Sequence, residues 1–266
     1  MKFLLAAVNA KYIHSNLGIY SLKACADARM AGGPVEIELA EYTINHQPEQ
    51  VLQDIYRRRP EAVGFSCYIW NISFIRELIA DLALVLPQTE IWLGGPEVSF
   101  ECERLLHSLP AVRGVMKGEG EETFCRLAAA YGEAERLGAP LQAERGIPGP
   151  SDADLAAIPN LAFRRRDGGI FQTPDGPPSD MGSFPFSYKQ LGLENLEHRI
   201  IYYESSRGCP FSCSYCLSSV DKALCFLPIS LVKRELDWFL ERKVPQVKFV
   251  DRTFNCKKSH ALAIWR

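Results

Sequence analysis

Residues 1–14 read MKFLLAAVNAKYIH. A short apolar run behind one lysine has the outline of a secretory leader, but a charged, aromatic stretch follows it instead of a small-residue cleavage site. Phe3 to Val8 reads better as a strand, and its unbroken apolar character predicts burial on both faces of a parallel sheet. Ser15 or Asn16 can cap a helix running through Ile19, Leu22, Cys25 and Ala26, which the Gly32-Gly33 pair ends. Val35 to Ala40 alternates as a strand, Pro48 opens a helix with Val51, Leu52 and Ile55, and Ala62 to Ser66 is strand again. Phe74, Leu78, Ile79, Leu82 and Leu86 have helical spacing; Ile91 to Leu93 is strand, and Gly94-Gly95 breaks it. A helix then carries Leu105 and Leu106, Val112 to Met116 is the fifth strand, and Glu121 to Tyr131 the fifth helix. Five β-α units in this rhythm predict an α/β fold over residues 1–131: a doubly wound, Rossmann-like parallel sheet with ligands at the carboxyl ends of its strands.

The composition agrees with a folded chain. Hydrophobic content of 47% and charged content of 23% exclude wholesale disorder. Thirty basic against thirty-two acidic side chains give a net charge of -2, so nothing advertises a nucleic-acid or membrane surface. No apolar run approaches the ~18–20 residues a membrane span needs. A soluble, cytoplasmic protein is expected.

Beyond Tyr131 the pattern lapses. Residues 132–198 are expected to be a linker, irregular between Gly132 and Pro159 and again between Pro174 and Pro185. Within it, Leu161 to Phe171 turns at Asp167-Gly168-Gly169 between strand-like flanks, which predicts a small β hairpin. The run Arg164-Arg165-Arg166 beside that turn reads as solvated. A new β-α-β pattern fills residues 199–266: strand Ile200 to Ser205, a cysteine-rich loop, helix Ile229 to Glu241, strand Val247 to Asp251, and a last helix from near Lys257.

Nine cysteines is an odd number and argues against a complete secreted disulfide framework. Six are scattered, whereas Cys209, Cys213 and Cys216 crowd into the stretch RGCPFSCSYCLSS, residues 207–219. Three thiolates on one short loop can converge on one inorganic centre, and three is the telling number. A structural zinc wants four ligands, usually as two separated pairs. A cubane cluster bound by four cysteines is complete, but three cysteines leave one iron open to a substrate or cofactor. A zinc site that takes Cys225 or Cys256 as its fourth ligand is the alternative reading.

CxxxCxxC with an aromatic residue before the third cysteine, here Tyr215, resembles the signature of the radical S-adenosylmethionine superfamily. The resemblance implies a 4Fe–4S cluster on Cys209, Cys213 and Cys216 whose open iron chelates S-adenosylmethionine. It also implies a reducing partner such as flavodoxin or ferredoxin. The stretch VKFVDRTFN, residues 247–255, is similar to the end of the second barrel strand in this superfamily, which makes Asp251, Arg252 and Thr253, together with Tyr215, the expected S-adenosylmethionine contacts. For Asp251 a helix cap or a surface acid is the plainer alternative.

A Rossmann-like domain ahead of such a core resembles the cobalamin-binding class of that superfamily. VGFSCYIWN, LGGPEVS and VMKGEGEETF stand at three successive strand ends. There Gly94, Gly95, Gly118 and Gly120 allow close backbone approach, and Ser66 and Ser99 could donate hydrogen bonds to cobalamin. One departure stands out. The loop NAKYIHSNLG has Tyr12 two residues before His14 and Gly18 four after it, where histidine-ligating cobalamin proteins carry Asp-x-His-x-x-Gly. No lower axial histidine is expected from this chain.

The resemblance covers the whole chain, yet residues 199–266 supply two of the roughly six β-α units of a radical S-adenosylmethionine barrel, so a partial barrel is expected. The implied function is that of a cobalamin-dependent iron–sulfur enzyme. Methyl transfer is the commonest chemistry of the class, and rearrangements and cyclisations are also known. A non-catalytic cluster- or cobalamin-binding, redox-sensing module and a zinc-stabilised α/β protein are the competing readings.

Overall fold

A computed structural model of the chain describes residues 1–138, 149–193, 196, 198–219 and 223–266. They divide into two compact units: Met1–Tyr12 with Gly18–Pro177, and Ile13–Leu17 with Pro178–Arg266.

In the first unit β1 (Lys2–Asn9) runs between β2 (Glu36–Thr43) and β3 (Ala62–Ser66), parallel to both. Phe3 to Val8 are at most 1% exposed, the two-faced burial that the continuous apolar run predicts. β4 (Glu90–Gly94) and β5 (Val112–Met116) continue the parallel order. Between the strands run α1 (Leu17–Arg29), α2 (Pro48–Arg58), α3 (Ile72–Val85) and α4 (Cys102–Ser108), and α5 (Gly120–Arg136) follows β5. Ile75, Leu78, Ile79 and Leu82 of α3 are buried and join Val51 and Ile55 of α2 in one core with the strands. This is the expected α/β, Rossmann-like doubly wound sheet.

The hairpin differs from expectation in its destination. β6 (Leu161–Arg164) and β7 (Ile170–Gln172) turn at Asp167-Gly168-Gly169, but β6 also pairs antiparallel with β5, giving a seven-stranded sheet ordered β2-β1-β3-β4-β5-β6-β7. The free backbone edge of β5 needs hydrogen-bond partners, and the hairpin supplies them. The short helix α6 (Asp152–Ala156) and the hairpin therefore belong to the first unit, which reaches Pro177. Residues 139–148 of the expected linker lie outside the described residues.

In the second unit α7 (Ser187–Leu191) precedes β8 (Ile201–Tyr203). β9 (Ser206–Arg207) and β10 (Cys225–Phe226) flank the cysteine loop, followed by α8 (Ile229–Glu241), β11 (Val247–Phe249) and α9 (Lys258–Trp265). β11 lies parallel to β8, so β8, α8 and β11 make the expected β-α-β unit. An aromatic cluster holds it: the Phe239 ring lies 5.2 Å from Phe186 and 5.3 Å from Tyr188, and Tyr203 lies 5.4 Å from Phe249. Leu240 and Trp265 are 73% and 79% exposed. The loop Ile13–Leu17 also belongs here. Ile200 N donates to Ile13 O at 2.7 Å, Ser15 Oγ donates to Ile200 O at 2.7 Å, and the imidazole of His14 is hydrogen-bonded to the Tyr202 hydroxyl. His14 is a half-buried, partnered loop residue, not a surface one.

Candidate functional site

Two sets of residues carry chemistry, one in each unit. In the first, the strand order 2-1-3-4-5 reverses direction between β1 and β3, and open α/β sheets bind ligands at the carboxyl ends beside such a point. The turn after β3 is built by Asn71, a residue the sequence reading quoted but did not single out. Only 1% exposed, its amide donates to Val8 O and Ser66 O, both at 2.9 Å, and its carbonyl accepts from Tyr68 N at 2.7 Å. One side chain thus ties the ends of β1 and β3 and shapes the turn between Cys67 and Asn71. That turn pushes Ile69 and Trp70 outward, 78% and 48% exposed, with the indole stacked on Tyr68 at 4.4 Å. Phe100, past the end of β4, is 56% exposed.

The expected cobalamin contacts take different places. Gly95 has φ +104°, and a Cβ there would lie 2.5 Å from Cys67 O, so glycine is demanded by the neighbouring turn. A Cβ on Gly120 would press on Leu22 of α1 at 3.0 Å, and one on Gly94 would make ordinary contact with Met116. Gly118 faces open space. Ser99 is a strut between two strand ends, its hydroxyl donating to Gly95 O at 2.8 Å and accepting from Gly118 N at 3.2 Å. Ser66 is half-buried at the end of β3, its carbonyl taken by Asn71. Of the four glycines, Gly118 is the one that faces open space, and Ser66 is partly accessible at its strand end. With the exposed Ile69, Trp70 and Phe100, the strand ends offer an apolar surface with a few polar groups, which fits a large, flat, partly apolar cofactor such as cobalamin.

In the second unit the cysteine loop is closed at its base by a short antiparallel ladder, Arg207 opposite Cys225 and Ser206 opposite Phe226. Gly208 has φ +88°, and a Cβ there would sit 1.9 Å from Ala223 O, so only glycine passes where the two arms cross. None of the three cysteines is in a disulfide: Cys209 is buried, Cys216 half-buried and Cys213 exposed. The hydroxyl and amide of Ser218 hold the Cys216 thiol below its ordinary range, with the charge of Arg252 adding to the effect. Among the described residues no group of three or more His, Cys, Asp or Glu side chains is placed to hold a metal ion, so the expected convergence of the three sulfurs is not seen. The donor set still fits an iron–sulfur cluster by its chemistry, since three thiols outside any disulfide share one loop and one is already biased toward thiolate.

The turn after β11 lies against this loop. Thr253 Oγ1 is 3.4 Å from Cys209 Sγ, and Arg252 is exposed. Asp251 is committed elsewhere. Its Oδ1 accepts from Ser205 N at 2.9 Å, Ser205 Oγ at 3.1 Å, Ser206 Oγ at 2.7 Å and Ser206 N. It is neither a helix cap nor a free surface acid. Tyr215 is 91% exposed. A residue that sequence reasoning missed is His260 of α9, 5% exposed, whose ring lies 5.0 Å from that of Phe226 and whose proton affinity burial lowers and the nearby Ser205 backbone raises. It touches both arms of the loop base. No local signal marks it, because its partners lie far away in sequence.

Comparison with known proteins bears on both units. Residues 4–128 match the family model for the B12 binding domain. An anaerobic magnesium-protoporphyrin IX monomethyl ester cyclase of Rubrivivax gelatinosus is 24% identical over 70% of this chain and 32% of its own length. A cobalamin-dependent radical SAM methyltransferase, TokK, of Streptomyces tokunonensis is 24% identical over 77% of this chain and 30% of its own. Among solved structures, the cobalamin-dependent S-adenosylmethionine radical enzyme OxsB with aqua-cobalamin superposes with a TM-score of 0.72 at 17% identity, over 95% of this chain and 34% of that one. The radical S-adenosylmethionine methyltransferase TsrM of Kitasatospora setae, with cobalamin and a [4Fe-4S] cluster, gives 0.68 at 17% identity over 99% and 50%. The chain thus spans about a third of the length of these curated relatives. Residues 4–128 thus match a B12-binding domain, and the chain is similar over most of its length to cobalamin-dependent radical S-adenosylmethionine enzymes, whose own length it covers only in part.

Proposed function

We propose that this chain is the cobalamin- and cluster-bearing part of a radical S-adenosylmethionine enzyme, with methyl transfer as its reaction. The observation that carries the reading is the cysteine loop itself: three thiols on one loop, closed at its base by the β9–β10 ladder and following the first strand of a parallel β-α-β unit. Cys209, Cys213 and Cys216 would hold the cluster. When bound, a cluster with an open iron supplies the electron that cleaves a carbon–sulfur bond of S-adenosylmethionine, and cobalamin supplies a carrier for the methyl group. The chain's own residues would bind and orient. Ser66, Gly94 and Gly118 would line the cobalamin with the apolar Ile69, Trp70 and Phe100. Arg252 and Tyr215, both exposed, would face S-adenosylmethionine. Asp251 would act through the loop base it holds. An electron donor such as flavodoxin or ferredoxin would reduce the cluster.

The test is electron paramagnetic resonance of the anaerobically iron- and sulfide-reconstituted chain, reduced with dithionite, with and without S-adenosylmethionine. A reduced 4Fe–4S signal that shifts on adding S-adenosylmethionine and is lost in Cys213→Ala supports the assignment. A cluster signal indifferent to S-adenosylmethionine would favour a redox-sensing module. Bound zinc without iron or sulfide would sink the proposal.

A further inference from the structure

Of the three loop thiols Cys209 is the most enclosed, 8% exposed, and the Thr253 hydroxyl lies against its sulfur. Thr253 reaches it from the turn between β11 and α9. Three anchors fix that turn. Val250 N donates to Tyr203 O at 2.9 Å, the Asp251 carboxylate accepts from Ser205 and Ser206, and Cys256 N donates to Thr253 O at 3.1 Å. The hydroxyl therefore stands 3.4 Å from Cys209 Sγ because the backbone on either side of it is tied down. A sulfur that ligates iron is a thiolate and carries no proton. In that state it can only accept, so the Thr253 hydroxyl must donate. Hydrogen bonds to cluster sulfurs lower the cost of the added electron, and they act more strongly where water is excluded.

We infer that Thr253 is a positioning residue for the cluster, donating a hydrogen bond to the Cys209 thiolate and raising the reduction potential, and that it is not a contact for S-adenosylmethionine. This rests on the cluster assignment above and adds to it a task for one side chain. No covalent change is involved; the hydroxyl proton stays on oxygen while its hydrogen bond to sulfur strengthens on reduction.

The test is a redox titration of the whole chain, anaerobically reconstituted with ferrous iron and sulfide and followed by electron paramagnetic resonance, for the unaltered protein, Thr253→Val and Thr253→Ser. Valine keeps the shape and removes the donor. Its reduced-to-oxidised ratio at a fixed applied potential is expected to fall about tenfold, ~59 mV for a one-electron couple. Serine is expected to titrate close to the unaltered protein, and S-adenosylmethionine is expected to perturb all three signals alike. Equal potentials for the valine variant and the unaltered protein, both with intact clusters, would overturn the inference and leave the cluster assignment standing. So would loss of the S-adenosylmethionine response in the valine variant at unchanged potential. If valine loses the cluster and serine keeps it, the hydroxyl is upheld; if both lose it, the inference falls. A chain that takes up no cluster at all overturns both readings.

Discussion

The carboxylate of Asp251 and the hydroxyl of Ser206 are joined at 2.7 Å across the base of the cysteine loop, and the same carboxylate takes the backbone amides of Ser205 and Ser206. Ser205 and Ser206 are 0% and 3% exposed, so no solvent can replace the acceptor. Asp251→Ala leaves buried donors unpaired at ~1–3 kcal/mol each. A loss of about 3 kcal/mol in urea unfolding of the second unit is expected, with less iron retained after reconstitution. Asp251→Asn, which keeps one acceptor oxygen, is expected to lose roughly half as much.

At the strand ends of the first unit two glycines separate packing from ligand binding. Gly95→Ala must place a Cβ 2.5 Å from Cys67 O at φ +104°, whereas Gly118→Ala meets nothing within 4 Å at φ +62°. The first is expected to cost about 3 kcal/mol, from backbone strain and overpacking together, and the second ~1 kcal/mol from strain alone. Chemical denaturation measures both. Gly118→Ala should fold and still weaken cobalamin retention on a desalting column; undiminished retention would remove Gly118 from the site.

Glu235 of α8 is buried, and the Tyr203 hydroxyl donates to it at 2.7 Å. Burial pushes its carboxyl above the ordinary range, against the opposing Tyr203 hydrogen bond and the charge of Arg234. The folded state then holds a proton that the unfolded chain has released, so stability falls as pH rises from the ordinary carboxylate range through the raised value. Glu235→Gln keeps an acceptor for Tyr203 and has no charge to bury. It is expected to gain on the unaltered protein as urea unfolding is moved from pH 5 to pH 8, and a constant difference would refute the assignment.

His260 runs the other way. Burial lowers its affinity for a proton, and Lys257 adds to this, while Asp251 and the Ser205 backbone oppose it. The unfolded chain binds the proton first, so this part of the stability is present above the ordinary histidine range and is lost as pH falls below it. His260→Gln should flatten the pH dependence of unfolding between pH 7 and 5. If the slope is unchanged, another group carries it.

Much of the architecture is readable from local sequence. A parallel strand buried on both faces has to be apolar at every position, so Phe3 to Val8 announces itself, and the helical spacing of Leu78, Ile79 and Leu82 does the same for α3. The cysteines are legible because three thiols on one loop leave their spacing in the sequence. The partners of the surrounding side chains are not. Nothing in the run around Asp251 points to Ser206, 45 residues earlier, or shows that its carboxylate would be spent on backbone amides. The glycines at the strand ends look alike in sequence, yet Gly95 answers to Cys67 O and Gly118 to open space.

The order of elements, the two-faced burial of the central strands and the cysteine spacing were thus determined by the sequence alone, because each is a matter of residues within one turn or one strand of each other. Where the hairpin β6–β7 docks, which unit takes the loop Ile13–Leu17, and which side chain stands against Cys209 were decided only by tertiary structure. Those outcomes depend on backbone edges seeking partners and on single hydrogen bonds between distant residues, and neither leaves a periodic trace in the chain.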